Sequence, residues 1–182
     1  MIKNNLNNYN SILNHYKNIL NGVKYKKFSN ILINASNKKK NIFLCGNGGS
    51  ASNSNHASTD LNNYFRKKGK NRFRSISLSS NISNITAVAN DYGYKNIFKY
   101  QLEDLAKKGD VLIIFSVSGS SENIIEAAKF SKKKGLKVIS ITGFSGGKVK
   151  KYSSLSLEFN CKHYGMVEDL QMMLIHTFCE KN

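Results

Sequence analysis

Proline and tryptophan are missing altogether from the 182 residues, cysteine occurs three times, and acidic residues number 11 against 28 Lys and Arg. Each shortage removes a class of protein. Cys45, Cys161 and Cys179 are an odd number and too sparse for a disulfide scaffold. Cys45 also falls inside a predicted buried strand, so a reduced, cytoplasmic protein is expected. No apolar run is long enough to span a membrane, and the opening Met1-Ile2-Lys3-Asn4-Asn5 lacks the apolar core of a signal peptide. No membrane partner is expected. The formal charge of +17 invites a nucleic-acid reading. Nearly all the basic residues are Lys, however, in small clusters such as Lys38-Lys39-Lys40 and Lys132-Lys133-Lys134 at turns and helix ends. The RNP motif, zinc-finger spacing and basic-region heptads are all missing. Abundant Asn, Lys and Ile, without Pro or Trp, is the bias of an AT-rich coding sequence. Solvated lysines are the simpler explanation, and no nucleic-acid partner is expected.

At this length one compact domain is the default, spanning residues 1–182 with N-terminal helices over 1–36 and an α/β core over 40–182. Leu6, Tyr9, Ile12, Leu13, Tyr16, Ile19 and Leu20 recur at helical spacing, which predicts an amphipathic helix over 3–21 that stops near Gly22. Its stripe can pack against a second copy of the chain or cover its own domain; the pattern allows both. A second helix carries Phe28, Ile31, Leu32 and Ala35 and ends in Ser36-Asn37-Lys38-Lys39-Lys40. Strands are predicted at 42–45, 73–78, 111–115, 137–141 and 154–159. Between them fall helices at about 50–65, 82–90, 94–107 and 121–134, a basic loop through Asn71 and a short helix after Gly146-Gly147. A final helix begins near Val167. Strands regularly separated by helices imply βαβ crossovers and a parallel sheet covered on both faces. Ligands of such sheets bind beyond the carboxyl ends of the strands.

Two turns lie there. Ile42-Phe43-Leu44-Cys45 empties into Gly46-Asn47-Gly48-Gly49-Ser50, and Val111-Leu112-Ile113-Ile114-Phe115 empties into Ser116-Val117-Ser118-Gly119-Ser120-Ser121-Glu122-Asn123. Glycine lets backbone N–H groups approach a ligand, and a helix N-terminus carries partial positive charge, so each turn suits a phosphate. The four hydroxyls of the second turn point to a neutral cradle for a phosphorylated small molecule.

The helix after the first turn carries His56 and Asp60, four residues apart on one face about a turn below its phosphate-facing end. Such a pair can share a metal, act as acid and base, or be an ordinary surface pair. The last helix adds Glu168 and His176, with Gln171 and the apolar Met172, Met173, Leu174 and Ile175 between them; the methionines read as core.

These residues resemble a known family. Cys45-Gly46-Asn47-Gly48-Gly49-Ser50, His56, Asn90-Asp91-Tyr92-Gly93-Tyr94, Gly109-Asp110-Val111-Leu112, Ser116 to Ser121, Ile141-Thr142-Gly143-Phe144-Ser145-Gly146-Gly147 and His176 are similar to the sugar isomerase (SIS) domain family, and within it to the phosphoheptose isomerases. The match covers essentially the whole chain in order. It implies a flavodoxin-like α/β fold, an N-terminal oligomerisation helix, a homotetramer with sites at subunit interfaces, and interconversion of sedoheptulose 7-phosphate and a heptose 7-phosphate for surface glycans.

By the same resemblance, phosphate binding falls on Ser116, Ser118 and Ser121, and further substrate contacts on Val117, Asn47, Gly48, Gly49, Asn90 and Asp91. A zinc site falls on His56, Asp60, Glu168 and His176, with Glu168 also a substrate contact. Some positions depart from the family pattern. Asp60 stands for Glu, Glu168 for Gln, Gly165-Met166 for Asp-Arg, and Val117 and Ser120 for Thr and Asn. Aldose–ketose isomerisation needs a base at carbon, an acid at the carbonyl oxygen and support for the oxyanion. Asp60 is assigned as base, His176 as acid and a zinc on His56 as polariser. On one helix Glu168 and His176 are separated by a rise of roughly 12 Å, so His56, Asp60 and His176 are expected to be the stronger ligands. An acid–base site without metal, a non-catalytic member that binds a replication initiator, and an isomerase for another phosphosugar remain the alternatives.

Overall fold

The computed structural model describes residues 2–67 and 72–181, without the side chains of residues 2–8, 15, 64, 65 and 67. The end of the basic loop, 68–71, and the Leu6 side chain therefore lie outside the described residues. Five strands, β1 (Asn41–Cys45), β2 (Arg74–Ser77), β3 (Val111–Ser116), β4 (Lys137–Thr142) and β5 (Leu155–Glu158), form one sheet. All its pairings are parallel, and the order is β2-β1-β3-β4-β5. The helices are α1 (Ile2–Asn21), α2 (Val23–Asn37), α3 (Gly49–Lys67), α4 (Ile82–Tyr92), α5 (Ile97–Leu105), α6 (Glu122–Lys134) and α7 (Tyr164–Lys181). Short 3-10 segments sit at Tyr94–Asn96 and Lys148–Tyr152.

Strand side chains alternate between two cores. Ile42, Leu44, Ile113, Phe115 and Ile141 face one side with Phe28, Leu32, Ala57, Leu61 and Phe178 of α2, α3 and α7. Phe43, Cys45, Leu112, Ile114 and Val138 face the other, with Phe98 and Leu102 of α5 and Ala127 and Ala128 of α6. A strand buried on both faces has no polar side to display, and this is why β1 and β3 read as continuous apolar runs. β2 lies at the sheet edge. There Ser75 and Ser77 are buried but hydrogen-bonded, Ser75 to Asn62 Oδ1 (2.8 Å) and Ser77 to Asn55 Oδ1 (2.6 Å).

α1 covers its own domain over the described part of its stripe. Tyr16 is buried, donates to the Met173 carbonyl (2.8 Å) and packs near Phe159, while Ile12, Ile19 and Leu20 border the same core. α7 begins at Tyr164 rather than near Val167. The helix expected over 94–107 divides into a 3-10 turn, entered from Gly93 at φ +83°, and α5. In this strand order β1 and β3 are neighbours whose following helices, α3 and α6, lie on opposite faces, which opens a crevice at their carboxyl ends.

Candidate active site

Asn47, Gly48, Gly49 and Ser50 from β1, and Ser116, Val117, Ser118 and Ser121 from β3, meet in that crevice around a cavity of about 260 Å³. Tyr164 and Glu168 of α7 close its side. The two turns are joined by a reciprocal amide pair. Asn47 Nδ2 donates to Asn123 Oδ1 (2.9 Å) and Asn123 Nδ2 donates to Asn47 Oδ1 (2.8 Å). Asn123 is buried, and Tyr94 Oη also donates to Asn47 Oδ1 (3.1 Å). The serine turn is held open by its own hydroxyls: Gly119 N donates to Ser116 Oγ (3.1 Å) and Ser120 N to Ser118 Oγ (3.3 Å). Ser121 is the N-cap of α6 but makes no side-chain cap hydrogen bond.

Behind this turn lies the glycine loop after β4. A Cβ on Gly119 (φ +63°) would strike the Gly146 carbonyl, and one on Gly147 (φ +59°) would strike the Ser118 carbonyl. The loops thus touch backbone to backbone, and Val149 N donates to Gly119 O (2.9 Å). None of the described lining residues is Lys or Arg. Positive potential comes instead from the N-termini of α3 and α6, which open onto the cavity.

The second centre lies two turns along α3. Gly49, His56 and Asp60 share one face of this helix, with Gly49 and His56 separated by a rise of about 10 Å. Asp60 Oδ2 lies 3.3 Å from His56 Nε2 and 3.2 Å from His176 Nε2. The two imidazoles meet edge to face, 5.2 Å between centroids. Ligand atoms of all three residues fall within 4.8 Å of one another, with both histidines exposed and Asp60 half-buried. This donor set suits a zinc ion, which takes imidazole nitrogen and carboxylate oxygen and keeps an open position when catalytic.

Glu168, expected as a fourth ligand, is not in this group. Its carboxylate lies against Gly49 at the start of α3, where a Cβ would collide with it. Asn90 and Asp91 stand apart as well. They are exposed at the end of α4, with Asn90 Nδ2 donating to Asp91 Oδ1 (2.8 Å), and do not line the cavity.

Gln171, Asn53, Asn123, Tyr94 and Tyr164 were given no role by sequence reading. Gln171 is fully buried (0 % exposed) between α7, α3 and β4. Its Nε2 donates to the Ile141 carbonyl (3.1 Å), while its Oε1 accepts from Asn53 Nδ2 (3.0 Å) and Ser50 Oγ (3.5 Å). Asn53 Nδ2 also donates to the Glu168 carbonyl (2.9 Å). The detectable signal was one amide within the apolar run Leu170 to Ile175, since a buried amide must find partners.

A parallel sheet of this order, with two polar turns and a helix-borne His–Asp–His group beside its switch point, defines an α/β protein that holds an anionic small molecule over acid–base or metal chemistry. The family model described as "SIS domain" matches residues 8–143. The phosphoheptose isomerase of Helicobacter pylori (strain P12) is 37 % identical over 155 residues, 85 % of this chain and 80 % of the relative. That of Campylobacter concisus (strain 13826) is 31 % identical over 180 residues, 99 % of this chain and 94 % of the relative. The solved structure of phosphoheptose isomerase GmhA from Neisseria gonorrhoeae superposes with a TM-score of 0.90 at 26 % identity, covering 99 % of this chain and 95 % of that one. The chain belongs to the SIS domain family and, within it, to the phosphoheptose isomerases.

Removing the Gln171 amide tests how the two centres are held together. Gln171→Leu removes the side-chain donor to the Ile141 carbonyl and the acceptor shared by Asn53 and Ser50, leaving Asn53 only its bond to the Glu168 carbonyl, an expected loss of about 1–3 kcal/mol. For a chain of this size each kcal/mol lowers Tm by about 2–4 °C. Thermal unfolding should show that drop, together with weaker turnover at saturating substrate; an unchanged Tm would contradict the role given to the seam.

Proposed function

We propose that the protein is a phosphosugar aldose–ketose isomerase that interconverts sedoheptulose 7-phosphate and a heptose 7-phosphate, supplying heptose for surface glycans. The observation that carries this reading is the placement of a hydroxyl-lined cradle and a His–Asp–His group on one face of α3, two turns apart. The relatives named above are phosphoheptose isomerases, and such a substrate has a phosphate at one end and its reacting carbonyl at the other.

In this reading Ser116, Ser118 and Ser121, with the α6 N-terminus, hold the phosphate, and its binding energy orients the far end of the sugar. Asn47 and the Gly48-Gly49 backbone contact the carbon chain. Glu168, an acceptor only, takes hydrogen bonds from sugar hydroxyls. Asp60 removes the proton from the carbon next to the carbonyl and returns it to the neighbouring carbon. His176 gives a proton to the carbonyl oxygen, which stays a hydroxyl, and takes one from the hydroxyl on the neighbouring carbon as that becomes the new carbonyl. His56, Asp60 and His176 would hold zinc, whose chemistry when bound is to polarise the carbonyl and stabilise the oxyanion. Asp60 Oδ2 faces the imidazoles, which leaves Oδ1 as the oxygen for the carbon-bound proton. Asn90 and Asp91 are assigned to a sugar site completed by a neighbouring subunit.

The assembly proposed is a homotetramer. Its support is the family resemblance and the face of α4, which has no buried residue and leaves Ile82 71 % and Tyr92 58 % exposed. A cytoplasmic location fits three buried free cysteines and the lack, among the described residues, of a helix long and apolar enough to cross a membrane.

NMR of protein incubated with sedoheptulose 7-phosphate should show aldose signals, and unphosphorylated sedoheptulose should give almost none. Asp60→Asn and His176→Ala should each lower turnover at least about a hundredfold with Tm retained, the usual loss for a general acid or base. Wild-type turnover in either variant, or no aldose from the wild type, sinks the assignment. Elemental analysis of chelator-free preparations should find zinc in the wild type and lose it in His56→Ala. Light scattering should report a tetramer that Ile82→Glu dissociates; a monomeric wild type would reject the assembly.

A further inference from the structure

A second cavity, about 330 Å³ in volume, opens at the opposite edge of the sheet, between the last two turns of α2 and the leading ends of β3 and β4. Ile31, Ala35 and Lys38 of α2 line it at spacings of four and three, so they share one helix face. Ala35 and Val111 are buried and Ile31 is partly buried, which gives the cavity an apolar floor. Lys38, Lys40 and Lys137 form its rim. Lys40 is held in place: its Nζ donates to the Lys108 carbonyl (3.1 Å) and its stem packs over Gly109.

None of the described lining residues is acidic. The neighbouring carboxylate, Asp110, is buried and turned inward, where Oδ1 accepts from Asn41 N (3.1 Å) and Oδ2 from Lys107 N (2.8 Å). Three ammonium groups therefore line one concave site without a counter-charge from its own wall, and their mutual repulsion favours an anion there. The parallel topology concentrates the charge. Every helix running back to the sheet ends at this edge, so the α2–β1 and α6–β4 connections bring lysines from distant parts of the sequence together. Compensation of a helix C-terminal dipole accounts for Lys38, the C-cap of α2. It does not account for an apolar floor, or for Lys40 and Lys137 beside the strand starts.

We propose that this cavity binds a small organic phosphate with an apolar or aromatic body, the body lying on Ile31, Ala35 and Val111 and the phosphates on Lys38, Lys40 and Lys137. The volume lies within the range of small-ligand sites. The site faces away from the Ser116–Ser121 cradle and does not depend on it, so the protein would carry two phosphate sites of different construction. One uses hydroxyls and helix N-termini; the other uses lysines over an apolar floor.

The test is isothermal titration of the full chain with ATP, tripolyphosphate and adenosine, in EDTA and 150 mM salt. EDTA keeps metal-bridged binding at the histidines out of the measurement. ATP should bind saturably and more tightly than tripolyphosphate, which lacks the body, or adenosine, which lacks the charge. Lys38→Gln with Lys137→Gln should weaken ATP at least about tenfold, the loss of two charged contacts. Lys132→Gln with Lys133→Gln removes the same charge outside the cavity and should change it little. Ser118→Ala with Ser121→Ala should leave ATP binding intact, which separates this site from the phosphosugar cradle whatever that cradle holds. No saturable binding, equal affinity for ATP and tripolyphosphate, equal loss in both lysine pairs, or loss in the serine variant would each overturn the proposal.

Discussion

The polar seam between α3 and α7 fixes everything at the catalytic end. Both helices pass a single buried amide, Gln171, which bonds to Asn53 and Ser50 on α3 and to the Ile141 carbonyl of β4. Because Gln171 lies between Glu168 and His176 on α7, and Asn53 between Gly49 and Asp60 on α3, one set of hydrogen bonds fixes both ends. Glu168 is set against the glycine turn and His176 against Asp60. An apolar contact would allow the helices to slide. An amide pair does so only by leaving buried donors and acceptors unmatched, at a cost of about 1–3 kcal/mol.

A comparable constraint links the two phosphate-facing turns. Asn47 and Asn123 exchange hydrogen bonds across the switch point, and the glycine loop after β4 backs the serine turn with no side chain between. The cradle is therefore braced by its own hydrogen bonds and backbone contacts, which lowers the ordering cost of binding. It holds no lysine or arginine among its described lining residues, so the phosphate recognition proposed for it rests on hydroxyls and helix N-termini. Excess positive charge gathers instead at the other end of the sheet, where αβ connections return.

Most of the architecture was legible because its signals were local. Apolar runs such as Val111 to Phe115 ending in small polar turns specify buried parallel strands and the ligand edge, and the i, i+4 spacing of His56 and Asp60 specifies a shared face. The pairing of those two with His176, 116 residues beyond Asp60, came from the family resemblance and from no spacing rule. Helix rise ranked Glu168 only as a weaker ligand; its place against Gly49, apart from the His–Asp–His group, is a matter of tertiary packing. What stayed hidden was the work of amides. Asn123 and Gln171 look unremarkable in sequence, because their roles depend on partners 76 and 30 residues away in the chain. The direction of the α1 stripe also needed tertiary packing: Tyr16 satisfies its hydroxyl on α7 of its own domain. Lysines scattered in sequence were likewise brought together only by the strand order.

The most direct measurement is a crystal structure of the Asp60→Asn variant with sedoheptulose 7-phosphate bound. The account predicts the phosphate among Ser116, Ser118 and Ser121 and carbons 1 and 2 beside Asn at position 60 and the imidazoles of His56 and His176. A phosphate seated elsewhere, or a reacting end turned away from that group, would contradict it.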